Sequence, residues 1–555
     1  MSHPIEPYVK AFADTVHARL SANVRGEPED QLKGPFEDLL KNIARSQRVE
    51  TETIGESLQT EGKPDYGVTV SNLLTGFVEL KAPGKGADPR LYKGRNRQQW
   101  ERFRNFPNLL YTDGNEWFLW QGEQAEGPVK ICESLRRGGG ESIVPDRLPD
   151  LYRVIFKFLG WTPIVPDKAA ILADQVAPLC KLLRDAVQDS LERPESPIRR
   201  LAEDWRNLLF PDADDRQFAD AYAQTATYAM LLARSEGADV SDLRAAEDAL
   251  RSRHGLMASA LELLTDPQVR EDIGSALKLL QRYIGAIPRD LLSRENDPDP
   301  WLYFYEDFLA KYDPALRKSA GAYYTPVEVV QCQVRLTQEL LAGELGRRDA
   351  FASDDVITLD PAVGTGTYLL GIIEQALAEV RAREGPGAVP GRASTLARNL
   401  YGFEIMTGPY AVSELRLSRA IRDHGGELPS DGPRVLLTDT LESPHAAPPQ
   451  PPLILQPIAT QHEHALQIKS QVAVLVCIGN PPYGRHEAEG VDNRSQTGGW
   501  VRHGDSSDLT QPIFRDFVEP ARAAGHGIDL KNLYNLYVYF WRWALWKVFE
   551  HHTSQ

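Results

Sequence analysis

Cysteine is scarce in this chain of 555 residues, and its four copies lie far apart. They are Cys132, Cys180, Cys332 and Cys477, a spacing that forms neither a zinc-binding pattern nor a disulfide framework. Long apolar runs are missing as well, because no stretch reaches the roughly 18 apolar residues of a membrane span, and the first residues lack the features of a secretory signal. The sequence therefore predicts a chain of the reducing cytoplasm without a transmembrane helix.

Positive charge is also in deficit, with 62 Lys and Arg against 78 Asp and Glu and a formal net charge of −16. This balance argues against a uniformly basic nucleic-acid binder, but it allows local basic grooves. One such excess lies between positions 81 and 104, and its basic members are Lys81, Lys85, Arg90, Lys93, Arg95, Arg97, Arg102 and Arg104. A run of this kind is by default a solvated surface, but its place directly after a carboxylate motif favours a phosphate-facing role.

The length is too great for a single core, and the composition of 42% hydrophobic and 25% charged residues is that of a globular protein. The patterns predict a multidomain α/β protein with an α/β domain over 1–165 and a second α/β domain over 299–555. Between them, helical periodicity dominates residues 166–298, and no cluster of catalytic residue types occurs there. We interpret that segment as a helical connector.

The N-terminal domain carries two acids and a lysine on a predicted hairpin. Helices are expected over 5–23 and over 31–43, the second with Pro35 near its start. In the strand that follows, Glu79 and Lys81 share one face while the other face is apolar. Asp65 lies on the preceding strand. Two carboxylates can hold one or two Mg²⁺ ions, and a lysine can orient the attacking water.

This pattern, Pro64-Asp65 followed by Glu79-Leu80-Lys81, resembles the PD-(D/E)xK nuclease family. The resemblance implies Asp65 and Glu79 as Mg²⁺ ligands and catalytic residues together with Lys81. It also implies Glu37, on the upstream helix, as a further metal-side carboxylate, and Gln98 or Gln99 near the scissile phosphate. The alternative is a surface hairpin with a Glu–Lys pair on its solvent face. A second hairpin is predicted over 109–120 around an Asp-Gly turn.

In the C-terminal domain, four predicted strands end in polar side chains. These strand ends carry Asp360, Glu404, Asp439 and Asn480. A Gly364-x-Gly366 turn follows Asp360 and lets the backbone approach a ligand closely. The segment 383–392, rich in glycine and proline, is expected to be a loop. Because the carboxyl ends of parallel strands meet at one edge of a sheet, a ligand site is predicted there.

Two short segments complete this predicted site. Thr325 is expected as the N-cap of a helix with Pro326 at its first position, which leaves free N–H groups beside Tyr324. Asn480-Pro481-Pro482-Tyr483 is rigid and non-helical, so Asn480 and the Pro481 carbonyl can together accept hydrogen bonds from one NH₂ group. The alternative is a strand end followed by a Pro-Pro turn.

Taken in order, these motifs resemble the γ-class N6-adenine DNA methyltransferases over about residues 300–555. The resemblance implies a Rossmann-like domain that uses S-adenosylmethionine, with Asp439 near the adenine of the cofactor and Asn480, Pro481 and Tyr483 around a flipped target adenine. The implied cofactor-binding residues are Tyr324, Thr325, Asp360, Gly364, Gly366 and Glu404. No general base occurs in the motif.

The whole arrangement resembles restriction-modification enzymes of the type IIG or IIL kind, related to type ISP enzymes, although no P-loop supports a helicase. It predicts methylation of adenine N6 in double-stranded DNA and Mg²⁺-dependent cleavage of unmodified DNA. One alternative is a methyltransferase with a non-cleaving DNA-binding module. Another is a non-catalytic defence component that binds S-adenosylmethionine or DNA.

After an amphipathic aromatic helix over 532–549 the chain stops, whereas the family continues with more strands and a target-recognition domain. We therefore expect a fragment, a truncated gene product, or one half of a split enzyme whose other polypeptide supplies these parts. The apolar face of the last helix would then need cover.

Overall fold

A six-stranded mixed sheet and a four-stranded parallel sheet organise the chain. The computed structural model describes residues 3–22, 28–46, 50–55, 64–70, 73–104, 106, 108–122, 124–161, 169–208, 213–251, 254–288, 301, 304–313, 325–430, 432–445, 456–483, 498–505, 512–526, 530 and 533–551. One unit comprises 1–165 with 275–286, and the other comprises 166–274 with 287–555. The α/β class is confirmed, and the three-part division of the chain stays a prediction.

The first unit is built around strands β1 to β6, which lie in the sheet in their sequence order. Strands β3 and β4 are parallel, and the other neighbours are antiparallel. The predicted hairpins β2–β3 and β4–β5 are therefore confirmed. The elements are α1 Glu6–Ser21, α2 Asp30–Ser46, β1 Thr51–Gly55, β2 Tyr66–Val70, β3 Leu73–Leu80, α3 Arg95–Phe103, β4 Leu109–Thr112, β5 Glu116–Gln121, β6 Gln124–Lys130, α4 Leu135–Gly138 and α5 Leu148–Leu159.

The core of this unit lies between the sheet and the helices, and it includes Val78 and Leu80 of β3. These two side chains point away from Glu79, so the predicted alternation is confirmed. Phe36 of α2 stacks on Trp117 with ring centroids 5.9 Å apart. The prediction for Pro35 was wrong: the helix begins at Asp30, so Pro35 lies inside it and removes one intrahelical hydrogen bond.

The second unit holds the helices after residue 166 and the parallel sheet, whose strand order is β10-β7-β8-β9. All three strand pairs are parallel, so the predicted parallel sheet is confirmed. Residues 275–286, the last part of α11, belong to the first unit. The elements are α6 Ala169–Leu191, α7 Pro197–Leu208, α8 Asp215–Ser235, α9 Leu243–Arg251, α10 Gly255–Leu264, α11 Pro267–Ala286, α12 Phe304–Tyr312, α13 Val327–Gly343, β7 Thr358–Asp360, α14 Thr367–Glu384, α15 Val389–Asn399, β8 Leu400–Glu404, α16 Thr407–Asp423, β9 Val435–Leu437, α17 Gln456–Gln471, β10 Val476–Cys477, α18 Gly499–His503, α19 Arg515–Ala523 and α20 Leu536–Leu545.

Two elements of the second unit differ from the prediction. Strand β10 pairs with β7 through only two residues, although the apolar run begins at Val472. The segment 383–392 is not a loop, because α14 continues to Glu384 and α15 begins at Val389. Pro390 stands at the start of α15, where a missing N–H leaves no intrahelical bond unmade.

A buried ionic cluster joins α16 to the helical part of the same unit. His254 is fully buried, with Nδ1 3.3 Å from a carboxylate oxygen of Glu414 and Nε2 3.6 Å from one of Glu236. Burial alone would lower the pKa of His254, but the two carboxylates raise it to about 9. The His254 ring is therefore an imidazolium at neutral pH. It lies between Glu414 of α16 and Glu236, the residue that follows α8.

Helix α20 packs one of its sides into the core around the parallel sheet. Tyr539, Phe540 and Trp543 are buried there, and Trp543 meets Phe403 of β8 edge to face at 6.3 Å. The chain itself therefore covers this apolar side of α20. On the other side of the helix, Tyr537 and Trp541 remain exposed. None of the helices in the described ranges is long and apolar enough to cross a membrane.

Candidate functional site

The first candidate site lies at the end of strand β3. Glu79 and Lys81 are each only 3% exposed, and the Lys81 ammonium donates to Oε1 of Glu79 over 2.6 Å. The same ammonium donates to Oε1 of Gln99 over 2.9 Å. The pair is therefore a buried one, and the alternative of a surface hairpin with a solvent-facing Glu–Lys pair was wrong.

Asp65 joins this pair from the position that directly precedes strand β2. Its Oδ2 accepts the backbone N–H of Leu80 over 2.7 Å, and burial raises its pKa. Burial, followed by repulsion from Asp65, raises the pKa of Glu79 to about 8. Oε2 of Glu79 is buried and has no hydrogen-bond partner in the part of the chain that the structure describes. Two crowded carboxylates with an unsatisfied oxygen form a site that a cation would stabilise.

An upstream acid that the sequence did not point to, Glu29, also lies beside this pair. Glu29 accepts the backbone N–H of Ala82 over 3.0 Å, and its charge adds to the rise in pKa at both Asp65 and Glu79. Glu37 lies 3.8 Å from the ammonium of Lys41 and is hydrogen-bonded to Tyr66, the residue after Asp65, so its role as a metal-side carboxylate stays a prediction. Within the described ranges, no three His, Cys, Asp or Glu side chains form a ready metal-binding group.

The loop that follows Lys81 is held by the buried carboxylate of Asp113, which the sequence reasoning missed. Its Oδ2 accepts the backbone N–H groups of Gly84 and Gly86 over 3.0 and 2.9 Å. The loop that carries Lys85 is thereby fixed beside the buried pair. In the basic stretch that follows, Arg90, Arg97 and Arg104 form ion pairs with Asp88 or Glu101, and the side chain of Arg102 lies outside the description.

The second candidate site lies at the carboxyl edge of the parallel sheet. Asp360 ends β7 and Glu404 ends β8, and both side chains are buried. Glu404 accepts three backbone N–H groups, from Gly364, Ile405 and Met406, at 2.8 to 2.9 Å. Burial nevertheless raises the pKa of Glu404 to about 7 and that of Asp360 to about 8.

The turn after Asp360 depends on glycine. Gly364 and Gly366 have φ of 55° and 87°, a left-handed region that favours residues without a Cβ. A Cβ on Gly364 would meet nothing within 4 Å, so the space in front of this turn is open. Oδ1 of Asp360 accepts the N–H of Ala362, while Oδ2 is buried and has no partner among the described residues.

The chain that follows the neighbouring strand β10 passes close to the same carboxylate of Asp360. A Cβ on Gly479 would lie 2.3 Å from Oδ1 of Asp360, a distance that no side chain can adopt. Glycine therefore lets the chain after β10 pass beside Asp360 without displacing that carboxylate, and so brings Asn480 to this edge of the sheet.

Asp439 lies after β9 and is held by a lysine that the sequence reasoning missed. Lys469 of α17 is fully buried, and its ammonium donates to Oγ1 of Thr438 over 3.1 Å and to the backbone carbonyl of Asp439. It also donates to Glu442 over 3.3 Å. Burial lowers the pKa of Lys469, and no local sequence pattern marks this residue.

Asn480 is held on both sides of its amide. Its Nδ2 donates to Oγ1 of Thr325 over 3.1 Å, and its Oδ1 accepts the hydroxyl of Tyr483 over 2.6 Å. The prediction that Thr325 caps a helix was wrong: Pro326 is extended with ψ of 130°, so α13 begins only at Val327 and has no side-chain cap. Tyr324 lies outside the described residues.

Tyr483 presents an exposed ring at this edge. It is 58% exposed, and its ring lies 5.7 Å from that of Tyr537, with an angle of 22° between the planes. Pro481 and Pro482 precede it in a segment that is neither helix nor strand. The structure thus brings together the strand ends of β7, β8 and β10, Thr325 and an aromatic ring, which is the arrangement that the motif order predicts.

Residues 299–507, which include these strand ends, match the sequence model of the family described as N-6 DNA Methylase. This segment is similar in sequence to N6-adenine methyltransferase domains. The methyltransferase family implies the use of S-adenosylmethionine. A comparison with curated proteins found no match.

Several solved structures resemble the chain. The DrdV–DNA complex, solved by cryo-electron microscopy, is 20% identical over 98% of this chain and 49% of the DrdV chain, with a TM-score of 0.46. The ATP-dependent type ISP restriction-modification enzyme LlaBIII, bound to DNA, is 18% identical over 73% of this chain and 26% of its own, with a TM-score of 0.47. The chain thus spans half or less of the length of these proteins.

Proposed function

We propose that the methyltransferase domain transfers a methyl group from S-adenosylmethionine to N6 of adenine in double-stranded DNA. The observation that carries this proposal is the Asn480 amide, fixed between Thr325 and Tyr483 beside two buried acids. An amide oxygen and a neighbouring proline carbonyl suit the two N–H groups of an exocyclic amine. DNA is therefore the proposed partner, with the target base extruded from the helix.

The residues at the carboxyl edge fit the cofactor. The unpartnered Oδ2 of Asp360 can receive the ammonium of an amino-acid moiety, and the open space at Gly364 leaves room for a ligand. Glu404 suits a ribose diol, and Asp439 would lie near the adenine. Thr325 and Tyr324 complete the proposed set. When bound, S-adenosylmethionine supplies an electrophilic methyl group.

The base site would act by positioning. Oδ1 of Asn480 has two lone pairs, of which the Tyr483 hydroxyl uses one, so the other can accept an N6 proton. The Pro481 carbonyl would accept the second. The open face of Tyr483 would stack on the ring of the base. Holding the amine in line with its reaction partner can supply most of the rate enhancement, so no general base is invoked.

We also propose that the first unit cleaves unmodified DNA with Mg²⁺. The buried Lys81–Glu79 pair beside Asp65, with an unpartnered Glu79 oxygen, supports this activity. Asp65 and Glu79 would hold the ion, with Glu29 as a nearby acid and Glu37 as a further metal-side carboxylate. Bound Mg²⁺ polarises a phosphate and lowers the pKa of a bound water. Lys81, held by Gln99, would orient that water.

Together the two activities would make a restriction-modification enzyme of the type IIG or IIL kind. A separate polypeptide would be the source of sequence recognition.

To test both activities, the chain is incubated with unmethylated DNA and Mg²⁺, with and without S-adenosylmethionine, and N6-methyladenine and strand breaks are measured. Asn480→Ala should abolish methylation and spare cleavage, and Lys81→Ala should do the reverse. A folded variant that loses both activities would contradict the two-site proposal. Methylation without metal-dependent cleavage would favour a methyltransferase whose first unit binds DNA without cleaving it. Binding of S-adenosylmethionine without methyl transfer would favour a non-catalytic sensor.

A further inference from the structure

The ring of Tyr483 has one covered face and one open face. Tyr537 covers the first, with the ring centroids 5.7 Å apart and the planes inclined by 22°, which is an offset stack. Trp541, one turn further along α20, meets the edge of Tyr537 at 6.3 Å. Because Tyr483 is 58% exposed despite this contact, its other face remains accessible.

The contacts on the Asn480 side do not by themselves fix the plane of the Tyr483 ring. The two prolines restrain the backbone, and the bond to Oδ1 of Asn480 restrains the hydroxyl. Rotation about the long axis of the ring leaves both in place, and this torsion has only broad preferences in tyrosine. A second contact on the ring face is therefore needed to define the plane.

Tyr537 is well suited to supply that contact, because it stands on an anchored helix. The Asn535 side chain caps α20 by accepting the N–H of Val538 over 3.0 Å. On the opposite side of the helix, Tyr539 and Trp543 are buried in the core. The Tyr537 ring is thus presented from a fixed backbone rather than from a loop.

We propose that Tyr537 is a positioning residue for the target base, because it backs the Tyr483 ring and so orients the open face on which the base stacks. The inference rests on the methyl-transfer function proposed above and assigns a role to a residue outside the matched 299–507 segment. Tyr537 would not contact the reacting atoms and would act only through its stack with Tyr483.

The test compares variants of the full chain on amplified, unmethylated genomic DNA, with kcat for methyl transfer measured at saturating DNA and S-adenosylmethionine. Tyr537→Leu keeps the helix but removes the ring, and it should lower kcat about fivefold, as expected for the loss of one aromatic pair. Tyr537→Phe retains the ring and should restore kcat. Phe549→Leu is the matched control, since Phe549 is a 65% exposed aromatic of the turn that follows α20.

Two further readouts separate positioning from a merely structural role. The melting temperature and the Kd for S-adenosylmethionine of Tyr537→Leu should match those of the wild type. In a Tyr483→Leu background, Tyr537→Leu should have no further effect on kcat, because the two residues act through one stack.

Three outcomes would contradict these expectations. A wild-type kcat in Tyr537→Leu overturns the inference and leaves the proposed function standing. A joint loss of kcat, melting temperature and cofactor affinity also overturns the inference, because it shows a structural role. A wild-type chain that transfers no methyl group overturns the proposed function itself, and the inference with it.

Discussion

The hydroxyl of Tyr483 donates a 2.6 Å hydrogen bond to Oδ1 of Asn480, while Nδ2 of the same amide donates to Oγ1 of Thr325 over 3.1 Å. Both partners are hydroxyls, which can each donate or accept a hydrogen bond, so the two contacts together hold the amide in place. Tyr483 would therefore serve the base site twice, through its ring and through its hydroxyl.

Removal of this hydroxyl should impair methyl transfer moderately. Tyr483→Phe keeps the ring but frees the Asn480 amide to turn, and a lost hydrogen bond is worth about 1 kcal/mol. We expect kcat to fall about fivefold, with the Kd for S-adenosylmethionine unchanged, as measured by steady-state kinetics and calorimetry. Tyr401→Phe removes a hydroxyl elsewhere in the domain and serves as the control. An unchanged kcat in Tyr483→Phe would show that the hydroxyl does not orient the amide.

Gly479→Ala should damage the cofactor site. The added Cβ would lie 2.3 Å from Oδ1 of Asp360, so the strand end or the carboxylate must move, at a cost of about 1–3 kcal/mol. We expect a lower melting temperature and at least tenfold weaker binding of S-adenosylmethionine. Gly343→Ala is the control, because a Cβ at the end of α13 meets nothing within 4 Å. Equal affinities in the two variants would refute the assigned role of Asp360.

Asp360→Asn should change how stability depends on pH. Burial raises the pKa of folded Asp360 to about 8, whereas an unfolded Asp has a pKa of about 3.9. Between these values the folded state holds a proton that the unfolded state has lost, so the contribution of Asp360 to stability is fully present below about pH 4 and is lost as pH rises towards 8.

Asn carries no such proton. Relative to the wild type, the free energy of unfolding of Asp360→Asn should therefore rise between pH 5 and 8, by on the order of 4 kcal/mol. Denaturant titrations of the ligand-free proteins at several pH values measure this difference. A constant difference across that range would show that the carboxyl is ionised in the folded protein.

The two upstream acids of the first unit should differ in their effect on metal-dependent cleavage. Glu29→Gln removes a charge beside Asp65 and Glu79, so the Mg²⁺ concentration for half-maximal cleavage should rise severalfold. Glu37→Gln alters an acid that also pairs with Lys41, so it should raise that concentration by a smaller factor. Nicking of supercoiled plasmid over a Mg²⁺ series measures both. The reverse result would make Glu37 the principal metal-side acid.

The parallel sheet and its polar strand ends could be predicted from the sequence, because an apolar run that stops at an acid or amide is a local signal. Asp360, Glu404 and Asn480 all lie where that signal places them. The partners of these side chains could not be predicted. Thr325 has the local pattern of a helix cap, yet its hydroxyl accepts from an amide 155 residues away.

Glu29 shows the same limit in the first unit. The resemblance to the PD-(D/E)xK family points to Glu37 on helix α2, whereas Glu29 precedes that helix in a turn. Which of the two meets strand β3 depends on how the helix packs on the sheet, and packing of this kind leaves no trace in local spacing. Lys469 could not be predicted for the same reason. It is a buried lysine of α17 that holds Thr438 and Asp439, about 30 residues earlier in the chain.

The His254 cluster has a consequence for how the second unit folds. Because His254 contacts Glu414 of α16 and Glu236 after α8, the helices and the methyltransferase domain share one buried set of charges. A fragment that began at residue 299 would retain Glu414 without its imidazolium, and an unpaired buried charge is strongly destabilising. The helical segment therefore stabilises the folded state of the domain that follows it. Both parts should exchange their core amide hydrogens as one cooperative unit.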